Sequence, residues 1–81
     1  MTSKHLQALE FISQGNWLEA HELVQHEHDE LAFQIHGYLH LEEGDVSNAN
    51  YWYNRAGKLQ TNNTPEQELA RLYQLAKSNN T

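Results

Sequence analysis

Gly44-Asp45-Val46-Ser47-Asn48-Ala49-Asn50-Tyr51-Trp52-Tyr53-Asn54-Arg55-Ala56 reads as a tight turn running into a helix with an aromatic face. Gly44 has no Cβ, so it can take the positive φ that ends one helix and redirects the chain into the next. Asp45 or Ser47 can then accept hydrogen bonds from the free N–H groups that open that helix. Val46, Ala49 and Tyr53 follow at helical spacing and share a face, which Trp52 and Ala56 widen. Three consecutive helical residues point in three directions, so one of Tyr51, Trp52 and Tyr53 is expected in solvent. Trp52 and Tyr53 are expected to be largely buried.

Upstream, Asp29 is a plausible cap for a helix that carries Leu31, Ile35, Tyr38, Leu39 and Leu41 as far as Gly44. Before that, Thr2 or Ser3 opens a helix running to about Gln14, with Leu6, Leu9 and Ile12 three apart and Ala8 and Phe11 alongside. Gly15-Asn16 ends it. A second helix starts near Trp17, turns Ala20, Leu23 and Val24 inward, and fades in the polar stretch His26-Glu27-His28-Asp29. Downstream of the aromatic helix, which ends near Gly57, Gln60-Thr61-Asn62-Asn63 reads as a loop. Thr64-Pro65-Glu66-Gln67 is a strong helix start, with a Thr cap, Pro at the first helical position and Gln three residues after the cap. Leu69, Leu72, Tyr73 and Ala76 then face inward, and Ser78 to Thr81 reads as a frayed tail. No stretch alternates with period two, so the fold class is all-α.

A shift of 29 residues lays the chain on itself: Ala8 meets Gly37, Ile12 meets Leu41, Gly15 meets Gly44, Ala20 meets Ala49 and Val24 meets Tyr53. Each unit is helix, Gly turn, helix, and a pair of this kind buries its apolar face only by stacking on another. The residue types resemble the tetratricopeptide repeat. That resemblance is carried by Gly37, Gly44, Ala49, Tyr53 and Ala56 in the second unit and by Ala8, Gly15, Ala20 and Val24 in the first. The first unit departs from it at Glu27, where a small residue belongs, and the spacing of 29 is shorter than the family's period of about 34. The resemblance implies two repeats, at about 4–28 and 31–58, closed by a capping helix at about 64–78. The string His36-Gly37-Tyr38-Leu39-His40, with Gly44 to Gly57, is also similar to small bacterial proteins that share a Tyr-Trp-Tyr-x-Arg-Ala-Gly ending. That likeness implies no activity.

With 81 residues the chain is one small domain. It has no Cys, so disulfides and thiolate metal sites are excluded. Residues 1–54 carry nine acidic residues against Lys4, and residues 55–81 carry four basic against two acidic, for a formal net charge of −6. Such a chain repels phosphate backbones, so nucleic acid is not an expected partner. The segment at Met1 lacks a basic-then-apolar leader and no run is long enough to cross a bilayer, so a cytoplasmic location without membrane attachment is the expectation. There is no GxSxG elbow, HExxH motif or phosphate-cradling Gly-rich loop, and an enzyme is not expected.

The tetratricopeptide resemblance implies a protein-interaction module whose groove is lined by His5, Leu9, Ile12, Gln34, Tyr38, Leu41 and Glu42, and which takes a peptide or protein partner. Two repeats are few for a stacked array, so a weak homodimer is also expected. The six His residues support a different reading. His36 and His40 stand four apart on one helix, a spacing that places two imidazoles on one metal ion, and His21 can approach them from the preceding helix. In the repeat register His40 replaces a large packing aromatic. That favours buried structural histidines, so no metal or cofactor is assigned. Arg55 lies four after Tyr51 and can stack on it or hold a carboxylate, which adds both residues to this alternative ligand site. His26 and His28 are read as solvated.

Overall fold

A computed structural model describes residues 3–58 and 63–79. Its helices begin where side-chain oxygens meet free backbone N–H groups. Ser3 accepts from the Leu6 N–H at 3.1 Å and opens α1, Lys4–Ser13. Asp29 accepts from Ala32 at 2.8 Å and opens α3, Glu30–Glu42. Asp45, rather than Ser47, accepts from Asn48 at 3.2 Å and opens α4, Val46–Arg55. At the start of α5, Pro65–Asn79, Thr64 and Gln67 exchange hydrogen bonds: Gln67 N–H donates to Thr64 Oγ1 at 3.2 Å and Thr64 N–H donates to Gln67 Oε1 at 2.9 Å. Only α2, Trp17–Val24, starts without a side-chain cap, at Asn16. No strand occurs among the described residues, so the protein is all-α.

The two Gly turns close alike. Gly15 N–H donates to Ile12 O and Asn16 N–H to Phe11 O, at 3.0 and 2.8 Å. Gly44 N–H donates to Leu41 O and Asp45 N–H to His40 O, again at 3.0 and 2.8 Å. Both are Schellman closures, with Gly15 and Gly44 at φ 79° and 84°. They make α1–α2 and α3–α4 into two tight hairpins.

α3 packs against all four other helices. Leu31, Ala32 and every residue from Gln34 to His40 are buried, which suits a helix enclosed on all sides. Leu9, Ile12, Val24, Leu31, Ile35, Tyr38, Leu39, Leu72 and Ala76 belong to one core cluster, so α5 shares its core with α1 and α3. At Gly37 the α4 helix comes so close that a Cβ would lie 2.7 Å from the Tyr53 ring and 3.1 Å from Ala49 O. That approach brings the aromatic face of α4 onto α3.

Three expectations change. Val46 is 54% exposed, because it starts α4 at the turn end of the hairpin, where α3 has already ended. Tyr53 is buried, whereas Trp52 is only partly so. Ser78 continues α5 rather than fraying. Thr2, the loop residues 60–62 and the tail residues 80–81 lie outside the described residues.

Candidate functional site

The three-residue step from His36 to Leu39 and the four-residue step to His40 keep both histidines on the flank of α3 that faces α2 and α4. His21, one turn after Trp17, meets them from α2. The ring centroids lie 4.6 Å apart for His21–His36, 5.0 Å for His36–His40 and 5.6 Å for His21–His40. One ring nitrogen of each falls within 4.8 Å of the other two. Tryptophans flank the group on both sides. Trp17 stacks on His21 at 4.9 Å and donates its indole N–H to Leu39 O at 2.8 Å, which pins α2 to α3. Trp52 stacks on His36 at 3.9 Å and 12°.

The turn after α3 supplies the remaining group. His40 Nδ1 lies 2.5 Å from Glu43 Oε1. The Schellman closure at Gly44 holds Glu43 there, since the Asp45 N–H is bonded back to His40 O. A carboxylate on Nδ1 makes that nitrogen the protonated one and leaves Nε2 with its lone pair free, the usual outer-shell support of a metal-binding imidazole. Glu43 was not singled out in the sequence. Its spacing of three from His40 on one helix was the available signal.

Burial pushes the His36 pKa down to about 4, with His21, His40 and Arg55 adding to the effect. Burial and then His40 lower that of His21. Both rings are therefore neutral at physiological pH, the state that offers a lone pair. Among the described residues neither ring has a hydrogen-bond partner, yet no fully enclosed side-chain nitrogen or oxygen is left unsatisfied. Their nitrogens therefore keep an opening to solvent.

The donor set fits a borderline transition metal such as Zn²⁺, Cu²⁺, Ni²⁺ or Co²⁺ and is unsuited to Mg²⁺ or Ca²⁺, which need oxygen ligands. Ligands ~2.0–2.1 Å from a tetrahedral ion stand roughly 3.4 Å apart, a spacing that lies inside the 4.8 Å limit on the three nitrogens.

Arg55 and Tyr51 lie at the outer end of the same aromatic network. The Arg55 guanidinium carbon is 4.5 Å from the Phe33 centroid, 5.0 Å from Trp52 and 5.8 Å from Tyr51. Arg55 has no hydrogen bond or ion pair among the described residues. Tyr51, 55% exposed, meets Trp52 edge to face at 5.1 Å. His26 and His28 are exposed, and neither joins the cluster.

The residues expected to line a groove are placed differently. Leu9, Ile12 and Tyr38 are buried in the cluster that includes Leu72 and Ala76 of α5. Gln34 Oε1 accepts from Arg71 Nη2 at 2.7 Å, and Tyr38 donates its hydroxyl proton to Pro65 O at 3.1 Å. α5 thus lies along the side of α1 and α3 where these residues face. His5 Nε2 is 2.9 Å from Asp29 Oδ1 and ties α1 to the start of α3. Tyr38, Leu41 and Glu42 do come together, with Tyr53, Asn63, Pro65 and Glu68, around a pocket of about 220 Å³. No family model, no curated protein and no solved structure matches the chain.

Proposed function

We propose that the protein binds one divalent transition-metal ion through His21, His36 and His40. The observation that carries this is the convergence of three imidazole nitrogens from two helices within 4.8 Å, with His40 Nδ1 engaged by Glu43. Stacking on Trp17 and Trp52 limits ring motion, so little rotamer freedom is lost on binding. Calorimetric titration of the untagged, metal-stripped protein with Zn²⁺ is expected to give one site per chain. His36→Ala and His21→Ala should each abolish it, and Glu43→Gln should weaken it by about 10–100-fold. Absence of binding at micromolar concentrations, or binding indifferent to all three histidines, overturns the proposal.

A second reading is favoured by the pocket around Tyr38, Leu41 and Glu42. At about 220 Å³ it admits one side chain and suits the anchor of a bound peptide in a tetratricopeptide-like module. The matched closures at Gly15 and Gly44 support the two-repeat layout on which that reading depends. Leu41→Glu should abolish capture of a partner without changing metal affinity, and retention of the partner by this variant removes the reading.

A further inference from the structure

The metal-binding reading leaves a coordination chemistry to complete, and the inference below rests on that reading. The triad offers three neutral donors, and a divalent ion of this class takes at least four ligands. Glu43 is not the fourth. With His40 ligating through Nε2, Glu43 stays on Nδ1 at the other side of the ring and cannot reach the same ion without releasing that bond. Asp45 clusters with His40 and Glu43 at that outer position and caps Asn48. Among the described residues no other His, Asp or Glu joins the three imidazoles. The remaining position is therefore left to water or an added ligand, and the unpartnered nitrogens of His21 and His36 are not fully enclosed.

The charge around that opening is set by few groups. Three imidazoles contribute none, so the ion's double positive charge is offset by nearby carboxylates: Glu43, which His40 shares, Asp45 beside it, and Glu22, which acts on His21. On the α4 side stands a second cation. The Arg55 guanidinium is seated among the rings of Phe33, Trp52 and Tyr51 and has no carboxylate partner among the described residues. Trp52 lies 3.9 Å from His36 and 5.0 Å from the Arg55 guanidinium carbon, so that carbon is at most about 9 Å from the His36 ring centre. A guanidinium oriented by aromatic faces keeps its in-plane N–H donors for a planar acceptor, and carboxylate is the best geometric match.

We infer that the loaded site takes a small organic dianion, with one carboxylate on the open metal position and the other on Arg55. A monocarboxylate reaches the metal alone. A dicarboxylate of four-carbon length spans both cations and gains the second interaction with little further loss of translational freedom.

The test uses the Co²⁺-loaded protein, whose visible absorption reports the coordination sphere, titrated with acetate and with succinate. Both are expected to perturb the spectrum, with succinate binding at least about tenfold more tightly. Arg55→Gln should erase the advantage of succinate while leaving Co²⁺ and acetate affinities in place. Arg55→Lys should restore only part of it, because ammonium lacks the planar pair of donors. A Co²⁺ spectrum that forms normally and ignores both anions overturns the open position while the metal site stands. Equal affinities for acetate and succinate, or a succinate advantage that survives Arg55→Gln, overturn the role of Arg55. Failure to bind Co²⁺ at all overturns the metal reading and this inference with it.

Discussion

At the level of single residues, the two polar clusters respond to acid in the same direction but in different ranges. His36, held at about 4, and His21, also lowered, stay neutral in the folded chain where the unfolded chain takes up protons near 6.5. Their contribution to stability is whole above 6.5 and is lost as pH falls towards 4. Glu68 acts lower. Burial raises its pKa, but hydrogen bonds from Arg71, Tyr53 and Asn63 outweigh burial and hold it at about 2, against an ordinary 4.5. Its contribution is present above 4.5 and drains away between there and about 2. Thermal melts from about pH 8 to 5.5 should therefore show a falling Tm, and added Zn²⁺ should raise Tm at the alkaline end in a way a chelator reverses. A Tm that rises on acidification rules out buried neutral imidazoles. Arg71 grips Glu68 through Nε and Nη2 at 2.9 and 2.6 Å, and Glu68 also takes the Tyr53 hydroxyl at 2.6 Å. Arg71→Ala leaves a buried carboxylate short of donors and should cost about 3 kcal/mol, measured by urea unfolding. Glu68 and Arg71 stand three apart on α5, a spacing that pairs them, but nothing in the sequence announces Tyr53 as their partner, because it meets them only once α5 has docked. Glu43 was legible only by its spacing: it stands three after His40, within helical reach, whereas adjacent Glu42 stands two after and points elsewhere.

At the level of helices, the starts and stops were the legible part. Ser3, Asp29, Asp45 and Thr64 cap as their types suggest, and Gly15 and Gly44 end helices as their lack of a Cβ suggests. These are local rules, settled by a few adjacent residues. Gly37 is a different case, since its importance depends on a partner helix. It reads in sequence as a small residue at a repeat position, and in the fold it is the point where α4 rides on α3. Gly37→Ala forces the Tyr53 ring and the Ala49 carbonyl away and should cost roughly 1–3 kcal/mol despite the better helix propensity of Ala. Because the Trp52–His36 stack depends on that approach, the same variant should bind Zn²⁺ more weakly. A variant as stable as the parent, with unchanged affinity, would show that α3 and α4 can separate there without consequence.

For the molecule as a whole, the helical pairing could be read from period and punctuation, and so could the possible meeting of His21, His36 and His40. The position of α5 could not. Leu69, Leu72, Tyr73 and Ala76 define an apolar stripe, but a stripe does not say which surface it covers, and it came to rest where a groove was expected. Apolar surface remains outside. Leu18 is 71% exposed on α2, and Val46 and Tyr51 are 54% and 55% exposed on α4. A weak homodimer is the expected consequence. Sedimentation velocity across the micromolar range should show concentration-dependent association that Leu18→Glu or Tyr51→Glu reduces, and a monomer throughout removes the idea. No helix among the described residues is long and apolar enough to cross a membrane.

The chain has two tryptophans, and each lies against an imidazole of the triad. Excited at wavelengths that spare its four tyrosines, the protein's emission therefore comes entirely from the proposed binding site. A paramagnetic ion such as Cu²⁺ should extinguish nearly all of that light, where Zn²⁺ merely shifts it, and Trp17→Phe and Trp52→Phe would divide the signal between the two sides. Nature has in effect labelled the site twice, so occupancy can be followed at nanomolar protein without any added dye.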